Sequence, residues 1–327
     1  MQTPFFSRKK ILVTGGTGML GRALVDLLLE RQADVRVASM DDPGFLPEGV
    51  EFLKLDLTRW ESCLEACRGV DYVFHLAGIK GGVGIGQSQA ARFLEVNTLV
   101  NLHMLKAARE SGVEKYLFTS SIGVYPDAEI FREEEVWDKP PHPSDRYGAW
   151  GKRIGELQCE AYLEQYGYKT CIVRPAAIYG PCDNFNPKTA MVVPALIGRI
   201  VSGEDPLEVW GDGSQIRDFI YSKDCARGMM LSMEKYYECD PVNLGSGTGV
   251  TIRDVVETIL KYAPHKPKVV WDTRKPVGNR IRLMDMTKAR QKLGFQPEYS
   301  LDRGIQETVQ WYLANPDYQL RKYNVFA

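Results

Sequence analysis

Lys10-Ile11-Leu12-Val13-Thr14-Gly15-Gly16-Thr17-Gly18-Met19-Leu20-Gly21 decides how the chain folds. A short apolar run that stops at glycines reads as a buried strand. Leu24, Leu27 and Leu28 then recur at helical spacing as far as Arg31. Between strand and helix stand glycines at 15, 18 and 21. A side chain at Gly15 or Gly18 would hold the backbone amides away from a pyrophosphate, and Gly21 lets the helix pack close to the strand. The turn therefore reads as a dinucleotide cradle built by Gly15, Thr17, Gly18, Met19, Leu20 and Gly21.

The pattern continues outward from there. Residues 34–38, 51–55, 71–76, 116–120 and 169–173 read as further strands, and 61–67, 90–111 and 151–166 as helices. Strands separated by helices make right-handed βαβ units and a parallel sheet, so the fold class is α/β, a Rossmann-type doubly wound sheet. After Pro175 the segments shorten and Pro and Gly multiply. That part reads as a smaller C-terminal α/β lobe over the carboxyl ends of the strands, where such folds bind ligands. The division expected is 1–180 for the dinucleotide-binding domain and 181–327 for the substrate lobe, the two interleaved.

Composition removes several classes of function. The net charge of −1 offers no basic field for nucleic acid or acidic lipid. No apolar run approaches the roughly 18 residues of a membrane span, and Met1–Lys10 has no apolar core of a signal peptide. The seven cysteines form no CxxC pair, which fits a reduced, cytoplasmic setting. The four histidines show no metal-ligand spacing, so no metal is expected.

Further motifs follow in order: Asp56-Leu57, His75-Leu76-Ala77-Gly78, Asn97, Ser120-Ser121-Ile122-Gly123-Val124-Tyr125, Arg174-Pro175, Tyr179-Gly180-Pro181 and Arg217-Asp218-Phe219-Ile220. With the glycine turn they resemble the extended short-chain dehydrogenases/reductases of the nucleotide-sugar epimerase/dehydratase type, over nearly the whole chain. Lys80-Gly81-Gly82-Val83-Gly84, Tyr179 to Pro187 and Val192-Val193-Pro194 are most similar to the GDP-fucose synthase branch. The resemblance implies an NAD(P) cofactor also touched by Ser39, Asp56, Leu57, Leu76, Ala77, Gly78, Asn97, Lys152 and Pro175. It implies a nucleotide-sugar substrate, GDP-linked, met by Lys80, Asn184, Val193, Arg217 and Arg280. It also implies a homodimer through helices 90–111 and 151–166.

The second strand ends Ala38-Ser39-Met40-Asp41-Asp42. Asp41 and Asp42 would repel a 2′-phosphate if turned inward, whereas Arg22 and Arg36 could attract one. The balance favours NAD, with NADP open.

The resemblance also implies a Ser, a Lys and a Tyr at the reacting carbinol. Ser121 and Lys152 fill two of these roles. The Tyr is displaced, because Tyr147-Gly148-Ala149-Trp150-Gly151-Lys152 has one residue more than the family's Tyr-x-x-x-Lys. Either a π-bulge or a shifted helix start absorbs the extra residue and brings Tyr147 back over Lys152 as acid/base, or Tyr147 only packs and another group or water handles the proton. The branch moves protons at two sugar carbons with a Cys and a His. Gly123 and Asn186 stand there, and neither is an acid or base near neutral pH. What remains is redox at one carbinol, at C4, without 3,5-epimerisation, by a keto-sugar reductase or sugar dehydrogenase. A 4-epimerase and a catalytically silent NAD(P)-binding regulator are the alternatives.

Overall fold

β1 (Lys10–Thr14) is buried from Ile11 onward, as a strand covered on both faces must be. α1 (Met19–Glu30) follows, then β2 (Asp34–Ser39), β3 (Glu51–Lys54), α2 (Trp60–Cys67) and β4 (Tyr72–His75). The next elements are α3 (Val83–Ser88), α4 (Ala90–Glu110), β5 (Lys115–Thr119), β6 (Ile130–Phe131), α5 (Arg146–Tyr166) and β7 (Cys171–Pro175). This computed structural model describes residues 4–275 and 278–323.

The main sheet has seven strands, all parallel, in the order β11-β7-β5-β4-β1-β2-β3. Its seventh strand, β11 (Val242–Leu244), arrives from far downstream after β8 (Ala177–Tyr179), α6 (Val192–Val201), β9 (Leu207–Trp210), β10 (Ile216–Tyr221) and α7 (Ser222–Lys235). Cys225, Met229 and Met233 of α7 lie in the same core as Val13 and Leu24, so the second half of the chain completes the first domain. A second core gathers Leu196, Ile197, Val209 and Phe219 with Val255 and Ile259 of α8 (Ile252–Tyr262) and Ile305 of α9 (Leu301–Ala314). It lies under a five-stranded sheet containing β12 (Gly249–Thr251), β10, β14 (Ile281–Met284), β6 and β8, with β13 (Val269–Asp272) paired separately to β9.

Two expectations shift. The helix expected at 151–166 begins five residues earlier, at Arg146, entered through a 3-10 turn at Pro143–Asp145. Gly148 and Gly151 are poor helix formers and hid that start. α3 was not anticipated because Gly84 and Gly86 interrupt its pattern. Among the described residues, no helix is long and apolar enough to cross a membrane.

Candidate functional site

The glycine turn folds as its spacing demands. Gly15 sits at φ 68°, and a Cβ there would come 3.2 Å from the Ala77 Cα. A Cβ on Gly21 would come 2.3 Å from the Gly15 carbonyl oxygen, so helix and strand could not close. The Gly15 amide donates to Ala38 O (2.8 Å) and the Gly18 amide to Gly15 O (3.0 Å). No side chain caps α1, which leaves its first amides at Met19 and Leu20 directed out of the helix toward an anion. These features fit a dinucleotide pyrophosphate.

At the end of β2, the Thr17 hydroxyl meets Ser39 Oγ (2.7 Å) and Asp41 Oδ2 (2.9 Å). Asp41 therefore faces the turn. The C-terminal stretch returns here: Lys322 Nζ lies 3.5 Å from Asp41 Oδ2, and the Tyr323 amide donates to Asp41 Oδ1 (2.8 Å). Arg36, expected as a possible phosphate ligand, is buried and spends its guanidinium on Ala66 O, Arg68 O and Glu51. Arg22 is held by Phe45 O and Asp26. Asp56 is exposed and closes a turn onto Thr58, and Leu57 beside it is buried.

Beneath the turn a buried chain of hydrogen bonds ties four elements together. Thr14 Oγ1 accepts from the Leu76 and Ala77 amides (3.0 Å each). Its own proton then goes to His75 Nδ1 (2.9 Å), which puts the imidazole hydrogen on Nε2, donating to Asn101 Oδ1 (3.1 Å). Asn101 Nδ2 donates to Gly151 O (3.0 Å). Burial, with the nearby Lys152 charge, pushes the His75 pKa down to about 3 and keeps the ring neutral. Asn97, one turn before Asn101, grips Ile79 through both its amide and carbonyl (2.9 and 3.2 Å). Sequence reasoning missed Asn101, although its i, i+4 spacing from Asn97 was visible.

Lys152 comes up beside this network. A Cβ on Gly78 would stand 2.8 Å from Asn97 Oδ1 and 3.5 Å from Lys152 Nζ, so these three positions converge. Burial lowers the Lys152 pKa to about 8. Its neighbour Arg153 clamps the carbonyls of Val124, Val136 and Lys139. Glu156 forms a buried two-pronged ion pair with Arg174 (2.9 and 2.8 Å), on the strand that ends at Pro175. These bonds fix α5 against the loop carrying Ser121, whose Oγ accepts from the Gly123 amide (3.0 Å).

Of the alternatives open for Tyr147, the π-bulge is absent, while the helix start does lie earlier than expected, at Arg146. α5 is α-helical from Arg146 to Tyr166, and a π-helical turn occurs instead at Ala289–Leu293. In a regular helix, Tyr147 points about 140° around the axis from Lys152. Its ring is 40% exposed and lies 5.6 Å from the Arg146 guanidinium. The position one turn before Lys152 on its own face belongs to Gly148, where a Cβ would only touch Phe93 at 3.7 Å.

On the substrate side, Lys80 Nζ pairs with the buried Asp183 (2.9 Å) and Asn184 braces its loop through Thr189 Oγ1 and the Asn186 amide. The Val193 side chain is buried in the second core, so only its backbone, in the first turn of α6, can face a ligand. Arg217 Nη1 donates to Ile216 O (2.8 Å), and burial plus the Arg282 charge pull its pKa down to about 10. Two adjacent guanidiniums form a seat for a polyanion. Arg280 is exposed in the wall of an open cleft of about 270 Å³, with Asp212, Gln215 and Lys275.

The comparisons with known proteins agree with this geometry. The model of the NAD dependent epimerase/dehydratase family matches residues 11–245. GDP-L-fucose synthase 1 of Arabidopsis thaliana is 33% identical, over 94% of each chain. UDP-glucose 4-epimerase of Thermotoga maritima superposes with a TM-score of 0.82 at 29% identity, over 94% of this chain and 99% of that one. A GDP-L-fucose synthetase from Naegleria fowleri bound to NADP gives 0.80 at 27%, over 95% and 96%.

Proposed function

The chain belongs to the NAD dependent epimerase/dehydratase family, and from that premise we propose that it oxidises or reduces C4 of a GDP-linked sugar without epimerising C3 or C5. It is an NAD(P)-dependent enzyme that modifies a nucleotide sugar. The observation that carries the finer reading is the side-chain inventory of the reaction face. At the two positions where the GDP-fucose synthase branch carries its proton-moving Cys and His, Gly123 and Asn186 offer nothing that could take a proton from a sugar carbon.

The residues that would hold the cofactor are Gly15, Thr17, Gly18, Met19, Leu20 and Gly21 around its pyrophosphate, with Asp41 and Ser39 at the ribose and Leu76, Ala77, Gly78, Asn97 and Pro175 lining its path. Bound there, a nicotinamide accepts or donates a hydride. The Asp41 carboxylate suits a ribose 2′-hydroxyl and opposes a 2′-phosphate, which favours NAD. Ser121 donates a hydrogen bond to the substrate oxygen, and Lys152, mostly protonated below pH 8, holds a ribose hydroxyl and stabilises developing negative charge. Arg217 and Arg282 supply the positive charge for the substrate diphosphate. Helices α4 and α5 are proposed as the homodimer interface, with Leu157 and Tyr166 among their exposed apolar side chains.

The test is to supply GDP-sugars with NAD(H) or NADP(H) and follow reduced-cofactor absorbance together with product identity. Net change in absorbance supports the proposal. An isomerised sugar with no net change indicates a 4-epimerase, a reading favoured by the likeness to the Thermotoga maritima enzyme. Intact cofactor binding with no reaction on any sugar indicates a silent binding protein.

A further inference from the structure

The register of α5 leaves a gap where a proton-transfer group belongs. Gly148 stands i−4 from Lys152 and supplies no side chain, and Tyr147 points elsewhere. The next residue up the same face is Asp145. Seven residues at 100° each bring it within about 20° of Lys152, two turns above. Asp145 is the N-cap of α5, a position where Asp ordinarily binds the first amides of the helix. Here its side chain makes no cap bond. It is turned instead to Arg282, whose Nη2 lies 3.2 Å from Asp145 Oδ2.

Two further measurements place that carboxylate at the reaction face. A Cβ on Gly123 would lie 3.4 Å from Ser121 Oγ and 3.5 Å from Asp145 Cβ. The missing side chain at 123 is therefore what opens Asp145 to the space beside the Ser121 hydroxyl. Arg282 reaches the pair from β14, backed by the Phe131 ring at 5.4 Å, and belongs to the same cationic seat as Arg217. The Asp145 side chain is 33% exposed, and one ion pair leaves its two oxygens with unused lone pairs.

We propose that Asp145, oriented by Arg282, hydrogen-bonds the hydroxyl of the sugar carbon that is oxidised and takes its proton. In the oxidation direction the hydroxyl O–H bond breaks and a carboxyl O–H forms on Asp145. The C–H electron pair leaves as hydride to the nicotinamide dinucleotide of the proposed function, and the carbinol becomes a ketone. Reduction runs the same balance backwards, with Asp145 giving the proton. This inference rests on the proposed function for its reaction but not for its binding contact.

The test pairs binding with turnover. GDP-D-mannose and GDP are titrated separately into the NAD-loaded protein and its Asp145→Asn variant, followed by tryptophan fluorescence. The proposal expects wild type to bind GDP-D-mannose more tightly than GDP. Asp145→Asn should lose roughly 10-fold of the preference for GDP-D-mannose over GDP, the scale of a hydrogen bond to a charged acceptor, the GDP titration accounting for any change in the Arg282 charge that faces the diphosphate. Turnover of the sugar accepted should fall about 100-fold or more. An unchanged preference for GDP-D-mannose over GDP in Asp145→Asn overturns the proposal. So does turnover lost in Tyr147→Phe but kept in Asp145→Asn. If wild type turns over no GDP-sugar, the proposed function fails, while the binding comparison still decides whether Asp145 meets the sugar.

Discussion

Lys152 and Gly148 stand one turn apart on the same face of α5, so the position one turn before the lysine carries no side chain. The rest of the reaction face is arranged around that gap. Asp145 precedes it at the N-cap of α5 and lies beside Ser121 across the Gly123 position, and Asn97 and Asn101 tie α4 to Ile79 and to Gly151 of α5.

The gap makes Gly148 the most informative position to refill. A Cβ there meets Phe93 at 3.7 Å, which is ordinary contact. Gly148→Ala should therefore fold and gain about 0.5–1 kcal/mol from helix propensity, read by urea unfolding. Gly148→Tyr restores the Tyr-x-x-x-Lys register. In an Asp145→Asn background it should recover about tenfold or more of the lost turnover, measured as kcat. No recovery in a folded double variant would count against the gap as the site of proton transfer.

His75 makes stability depend on acid. Its pKa is lowered from 6.5 to about 3, so between those values the unfolded chain binds a proton that the folded chain does not. Stability is intact above pH 6.5 and falls by about 1.4 kcal/mol for each unit below it, roughly 2 kcal/mol by pH 5. Urea unfolding at pH 7 and pH 5 checks this. His75→Gln should be less stable at pH 7 but show a shallower loss between the two. An equal loss in both proteins would assign the acid sensitivity to other groups.

Much of this site was legible in the sequence because it is local. The turn at 15–21 needs glycines for steric reasons that their spacing displays, and β1 announces itself by an unbroken apolar run. The seventh strand was not legible. Val242–Leu244 is three residues long, and only its pairing with β7 makes it a strand. The same holds for Asp145 and Arg282, which are 137 positions apart and acquire meaning only when β14 meets the entrance to α5. The displaced Tyr147 was legible as an anomaly, but its resolution was not, since the choice between a bulge and a regular helix depends on how Arg153 and Glu156 anchor that helix.

That anchoring should dominate stability. Glu156 and Arg174 are almost wholly buried and bond through both prongs. Glu156→Ala leaves a buried guanidinium unpaired and should cost roughly 3–5 kcal/mol, seen as a large drop in Tm. A loss below about 1 kcal/mol would mean that water reaches Arg174.

Cofactor choice should follow Asp41. Its carboxylate accepts from Thr17 beside the turn, so NADH should bind about tenfold or more tightly than NADPH by fluorescence titration. Asp41→Asn should narrow that ratio by weakening NADH and admitting NADPH. Tighter NADPH binding in wild type would instead assign Lys322 and Arg22 to a 2′-phosphate.

The central claim is redox at C4 with C3 and C5 left alone. It is tested most directly by supplying a GDP-linked 4-keto sugar and reduced cofactor in heavy water and reading the product by NMR. The account predicts stoichiometric cofactor oxidation, a new hydroxyl at C4, and no enzyme-dependent deuterium at C3 or C5 beyond a protein-free control. Enzyme-dependent deuterium at either carbon would contradict it.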